Sequence, residues 1–201
     1  MRSRIGCVVL AAGESRRYGK DENKLLLTFA GASIVQHAID TASISQAMSC
    51  TLVLGAEADR VLAAVDPRRC SVVRNWGWRE GIASSLRAGL DRHLDDEACI
   101  FMVADQPYVG PGDVNRLISR HLDERDAIVA LQAGDVWGTP VLFPRADFPK
   151  LERLRGDEGA KPLAQSQGSR LRFVAAISAA AFADVDTRAD YERVLQMDPR
   201  T

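Results

Sequence analysis

The segment Leu10-Ala-Ala-Gly-Glu-Ser-Arg-Arg-Tyr-Gly19 gathers residue types that handle polyphosphate. Small side chains at Ala11, Ala12 and Gly13 let backbone N–H groups come close to a phosphate and donate to it. Arg16 and Arg17 add cationic donors, and Lys24 adds another after the polar insert Lys20-Asp-Glu-Asn23. Neither G-x-G-x-x-G nor G-x-x-x-x-G-K-[ST] occurs, which excludes the dinucleotide fingerprint and the Walker-type site. An ordinary strand-to-helix turn with solvated arginines has the same composition.

Two carboxylates complement this loop. Asp105 ends the apolar run Phe101-Met-Val-Ala, just before Gln-Pro. A hard cation such as Mg²⁺ takes one or two carboxylates together with phosphate oxygens, and Asp105 suits that role; it equally suits a turn former. In Phe182-Ala-Asp-Val-Asp-Thr187, extended alternation points Asp184 and Asp186 to one side, making Asp186 the second candidate metal ligand. The alternative is an N-cap region with Asp186 or Thr187 capping, and the two roles coexist where a capping Thr187 leaves Asp186 free for the metal. His37, His93 and His121 fall on predicted helices without metal-ligand spacing and are expected to be surface or packing residues.

The elements that must position these groups alternate in type. Strand-length apolar runs at Ile5 to Leu10, Thr51 to Leu54, Ser71 to Val73 and Cys99 to Val103 are each followed by helical spacing, at Ile34 to Ala42, Arg60 to Val65, Ile82 to Leu94 and Pro111 to Leu122. That rhythm predicts an α/β fold with a mostly parallel sheet covered by helices on both faces, and it places the first loop at a strand's carboxyl end, where such sheets bind ligands. Beyond Leu122, strands are expected at Ala127 to Leu131, Val141 to Phe143 and Leu171 to Ala175, with helices at Phe148 to Leu154, Ala160 to Gln165 and Arg188 to Gln196. Pro140, Pro144 and Pro149 predict an excursion over the site.

A length of 201 residues with 46% hydrophobic content makes one domain over 1–201 the default. Lys plus Arg is 26 against 27 for Asp plus Glu, which supplies no overall field for nucleic acid or an anionic membrane. Cys7, Cys50, Cys70 and Cys99 form no CxxC pair and are expected as reduced core thiols. No signal-peptide core or membrane-spanning run is evident, and a cytoplasmic location is expected.

Taken together, Leu10 to Gly19 with Lys24-Leu-Leu-Leu27, Asn75-Trp-Gly-Trp-Arg-Glu-Gly-Ile-Ala-Ser-Ser-Leu-Arg-Ala-Gly89, Asp105-Gln-Pro107, Gly138-Thr-Pro-Val-Leu-Phe143, Gly156-Asp-Glu-Gly-Ala160 and Asp184-Val-Asp-Thr187 resemble the molybdenum cofactor nucleotidyltransferases. These six segments stand in the family's order along nearly the full chain. The resemblance is nearest to the cytidylyltransferase branch, since Ala12 stands where the guanylyl branch usually has glycine. It implies a Rossmann-like three-layer α/β/α fold and transfer of CMP from CTP to molybdopterin with release of pyrophosphate. It further implies nucleotide contacts from Leu10, Ala11, Ala12, Gly13, Arg17 and Lys24, with Asn75, Gly81 and Ser85 nearby. Arg17, Lys24 and Asp105 would be the catalytic groups, and Mg²⁺ would be held by Asp105 and Asp186. Gly138 to Phe143 would face the pterin, and a molybdoenzyme client is a further expected partner. The alternatives are a guanylyltransferase or a sugar- or alcohol-phosphate nucleotidyltransferase on the same fold, or a non-catalytic chaperone binding nucleotide or molybdopterin.

Overall fold

The structure, a computed structural model, describes residues 3–15, 17–19 and 22–197. Arg16, Lys20 and Asp21 of the first-loop reading lie outside the described residues. In chain order the regular elements are β1 (Ile5–Ala11), β2 (Thr28–Phe29), β3 (Ala32–Ser33), α1 (Ile34–Ile44), β4 (Ser49–Leu54), α2 (Ala58–Ala63), β5 (Cys70–Arg74), α3 (Ile82–Leu90), β6 (Ala98–Val103), α4 (Pro111–Asp123), β7 (Ile128–Ala133), β8 (Val136–Pro144), α5 (Phe148–Arg153), α6 (Ala160–Ser166), β9 (Leu171–Ala175) and α7 (Arg188–Gln196).

Seven strands form one sheet in the order β5-β4-β1-β6-β8-β7-β9. The neighbours β5/β4, β4/β1, β1/β6 and β7/β9 are parallel, and β8 runs antiparallel to both β6 and β7. Every residue of β1 is buried, because helices cover both faces of the sheet. Ile5, Cys7, Val9 and Ala11 point into the core shared with α1 and α4, while Val8 and Leu10 point into the core shared with α3, α5 and α6. Three layers result, as the sequence pattern implied. An edge-to-face contact between Phe101 and Phe143, with centroids 6.2 Å apart, ties β6 to the antiparallel β8 and adds about 0.5–1.5 kcal/mol beyond burial.

Three expectations need correction. β8 runs through Pro140 rather than breaking there: pairing with β7 passes from Ala130↔Val141 to Leu131↔Gly138, so Thr139 and Pro140 are absorbed in a bulge where the missing N–H of proline costs no ladder bond. α3 ends at Leu90, so His93 lies in the turn that follows; it is buried, with Nδ1 2.8 Å from Asp96 and Nε2 2.9 Å from the Thr51 hydroxyl. The cysteine expectation holds for Cys7 and Cys99, which are free and buried, but Cys50 and Cys70 form a disulfide. These two are 20 residues apart in sequence, yet the β4/β5 register sets them opposite one another with Cα atoms 4.5 Å apart. Among the described residues, no helix is long and apolar enough to cross a membrane.

Candidate active site

At the carboxyl ends of β1 and β6, beside the point where chain connections diverge to β4 and β6, lies a cleft of about 520 Å³. Its floor is the end of β1 and the loop after it, from Leu10 to Ser15. Ala12 is pinned there, since its carbonyl accepts from the Ala56 N–H at 3.1 Å. Gly55 permits this approach, because a Cβ at that position would lie 2.7 Å from both the Ala12 oxygen and the Trp78 Cβ. A Cβ at Gly13 would meet nothing within 4 Å, so the loop backbone stands open to the cleft.

Lys24 opens a short 3₁₀ turn that is fixed from behind. The Asn23 side chain accepts from the Leu25 N–H at 3.0 Å and donates to Glu57 at 3.0 Å, and Leu25 is buried beneath. From this anchor Lys24 Nζ reaches Asp105 at 2.6 Å and Asp186 at 2.7 Å, across 81 and 162 residues of sequence. Arg17 closes on the other Asp186 oxygen at 2.9 Å. Burial alone would lower the Lys24 ammonium, but the charge and hydrogen bonds of Asp105 and Asp186 outweigh it and hold the group above the usual lysine range.

The two carboxylates are brought together by backbone as well as by Lys24. The Val185 N–H donates to the Asp105 carbonyl at 3.1 Å, so the two short acidic segments lie side by side. Thr187 forms a capping box with Asp190 at the start of α7, which leaves the Asp186 side chain free to face the cleft. Asp184 does not share that duty: it accepts from the Gln106 amide at 2.7 Å, and Gln106 Oε1 accepts from the Thr139 hydroxyl at 3.2 Å. Burial pushes the Asp184 carboxyl up, the Gln106 hydrogen bond opposes this, and the charges of Asp105 and Asp186 add to the rise. Gln106 and Asp184 thus connect the acidic pair to the bulge in β8. No reading of local sequence assigned Gln106 a part, although it adjoins Asp105.

Among the described residues no group of three or more His, Cys, Asp or Glu is arranged to hold a metal ion. Asp105 and Asp186 nevertheless converge on one cation-sized position, occupied here by Lys24 Nζ. Two carboxylates with room for phosphate oxygens are the donor set that Mg²⁺ uses.

The segment before α3 also faces the cleft. Trp78 and Arg79 form its wall, with the Arg79 guanidinium 4.3 Å from the Trp78 ring centroid. Gly81 and Ser85 line it too, whereas Trp76 is exposed to solvent and lies outside it. Gly81 has φ +97°, and a Cβ there would run into the Gly156 carbonyl, so only glycine lets the start of α3 meet the Gly156–Gly159 loop. That loop delivers Asp157 to the cleft, a lining residue that sequence reasoning missed although it quoted the segment. Asn75 does not line the cleft. Its amide donates to Ser84 and Ser85 at 2.8 and 3.0 Å, so it stands behind Ser85 and holds it in place. Leu10, Ala11, Ala12, Gly13, Arg17, Lys24, Gly81, Ser85, Asp105 and Asp186 all border the same cleft.

The MobA-like NTP transferase domain matches residues 7–171. Among curated proteins, nicotine blue oxidoreductase of Paenarthrobacter nicotinovorans is 28% identical over 195 residues, covering 94% of this chain and 95% of its own. Among solved structures, Rv0371c of Mycobacterium tuberculosis H37Rv is 32% identical with a TM-score of 0.83, covering 97% of this chain and 99% of that one. A complex of the same mycobacterial protein with manganese is 30% identical with a TM-score of 0.77, covering 98% of this chain and 100% of that one.

Proposed function

The chain belongs to the MobA-like NTP transferase family, and from that premise we propose that it transfers CMP from CTP to molybdopterin and releases pyrophosphate. The observation that carries this is the cleft itself. A backbone floor and the cations Arg17 and Lys24 at one end suit a triphosphate, while the end walled by Trp78 and Arg79 suits a base. CTP rather than GTP is inferred from Ala12, which stands where the guanylyl branch of the resembling nucleotidyltransferases usually has glycine.

The chemistry is the in-line attack of a terminal phosphate oxygen of molybdopterin on the α-phosphorus of CTP. The new P–O bond forms as the bond to the β-phosphate oxygen breaks. The nucleophile is already an anion, so the site needs no general base, and its tasks are positioning and charge neutralisation. Arg17 and Lys24 supply positive charge to the phosphates. Asp105 and Asp186 are the residues that would hold Mg²⁺, which supplies Lewis acidity and a template for the phosphates when bound. The manganese complex of the mycobacterial relative agrees with divalent metal use. Gly138 to Phe143 is the stretch we assign to the pterin side, linked to Asp184 through Thr139 and Gln106.

We infer one catalytic domain over the whole chain, working in the cytoplasm where nucleoside triphosphate is at hand, and passing its product to a molybdoenzyme client. The Cys50–Cys70 bond runs against the usual redox state of that compartment. Incubation with Mg²⁺, molybdopterin and each of the four triphosphates, followed by mass analysis of the pterin product, tests the proposal. A CMP adduct supports it; a GMP adduct transfers the chain to the guanylyl alternative.

A further inference from the structure

We propose that Lys24 is the resting occupant of the metal position: its ammonium holds Asp105 and Asp186 together in the empty enzyme and releases them only when a triphosphate offers it another anion, so that metal and nucleotide bind as a coupled pair. This rests on the assignment of Asp105 and Asp186 as the metal-holding carboxylates.

The case begins with charge. One ammonium bridges both carboxylates at 2.6 and 2.7 Å, and a guanidinium closes on Asp186 at 2.9 Å, so two anions are met by two cations and the cluster is already neutral. A divalent ion arriving alone finds both carboxylates already paired and two positive groups within a few ångströms, which repel it. If Lys24 leaves, the same carboxylates present a net attraction that a divalent ion satisfies.

The build of Lys24 suits an exchange. Its backbone is held by the Asn23 cap and the buried Leu25, so the turn stays in place while the four-carbon stem swings. Gly13, Glu14, Ser15 and Arg17 line the same cleft as Lys24, so a bound triphosphate brings anionic oxygens to Lys24 without any movement of the sheet. In the resting state the ammonium keeps the two carboxylates from repelling one another across their backbone contact between Val185 and Asp105. A single side chain therefore serves first as a counter-ion and then as a phosphate ligand. The consequence is a binding order in which metal alone binds weakly and metal with nucleotide binds well.

The test measures Mn²⁺ binding by electron paramagnetic resonance, with no nucleotide and no acceptor present, on the wild-type protein and on Lys24→Met. The expected result is that Lys24→Met binds Mn²⁺ roughly tenfold or more tightly than wild type, because the competing charge is gone. Lys24→Arg, which keeps a cation, is expected to bind Mn²⁺ as weakly as wild type. Should Lys24→Met fold poorly, Lys24→Gln takes its place, and the rise in Tm on adding Mn²⁺ is expected to exceed that of wild type. Adding Asp105→Asn or Asp186→Asn to the Lys24→Met background should abolish the gain. Equal Mn²⁺ affinities in wild type and Lys24→Met, with binding that still depends on Asp105 and Asp186, would overturn the exchange while leaving the metal assignment standing. Mn²⁺ binding indifferent to both aspartates would overturn the metal assignment and the exchange with it.

Discussion

Replacing Asp105 by Asn keeps the shape of the side chain and removes one of the two charges that hold Lys24. The side chains of Lys24, Asp105 and Asp186 are 13%, 21% and 29% exposed, so water screens the cluster only in part. With an effective dielectric near 20, a unit pair about 3 Å apart interacts by roughly 5 kcal/mol before desolvation is subtracted. Asp186 remains to hold the ammonium and Asn still offers a carbonyl oxygen, so the net loss should be about 1–2 kcal/mol. For a chain of this length that lowers the Tm by roughly 2–8 °C. Turnover should suffer more. Losing one of two metal carboxylates is expected to cost about 3–4 kcal/mol of transition-state stabilisation, a fall in kcat on the order of a hundredfold to a thousandfold. Thermal denaturation read alongside a coupled pyrophosphate assay at saturating Mg²⁺ checks both numbers. Unchanged turnover would remove Asp105 from the reaction, and a Tm drop beyond about 15 °C would mean that its place in the fold, rather than its place in the site, explains its position.

Asp184→Asn should raise the Tm at pH 7 and lose that advantage as the pH is lowered. The folded protein holds the Asp184 proton more tightly than the unfolded chain does, so ionisation becomes a folding penalty as pH rises above the ordinary aspartate range, and Asn can still accept from Gln106; a Tm gap that widens on acidification would contradict this. Ala12→Gly should weaken the preference for CTP over GTP by roughly tenfold in the ratio of kcat/KM, the scale of one methyl group in a packed pocket, and an unchanged ratio would place base selection elsewhere. Thiol labelling of the unreduced protein should give two reactive groups after denaturation, Cys7 and Cys99, and close to none in the native state where both are buried; four labelled thiols would show Cys50 and Cys70 unbonded.

The layered architecture was legible because β1, β4 and β6 are buried on both faces and so read as unbroken apolar runs, while α1 and α4 carry their apolar residues at helical spacing. β8 was half hidden, since Pro140 inside a central strand argues against a strand until the bulge that shelters it is seen. The Cys50–Cys70 bond depends on the register of β4 against β5, which no spacing rule within the sequence supplies. In the candidate site, local chemistry marked Lys24, Asp105 and Asp186 one by one. That they converge on a single point could not be read from segments 81 and 162 residues apart, because it follows from strand order and from the Val185 contact. Asn75 is hidden for a related reason: the sequence does not show that its amide is directed at Ser84 and Ser85. Gln106 and Asp157 carried no local signal of their own beyond lying inside such segments.

Pyrophosphate release by the purified protein with Mg²⁺ and molybdopterin, in separate reactions with CTP, GTP, ATP and UTP, tests the central claim most directly. The account predicts release that requires the pterin and is selective for CTP. Selective release with GTP, or none with any triphosphate, would contradict it.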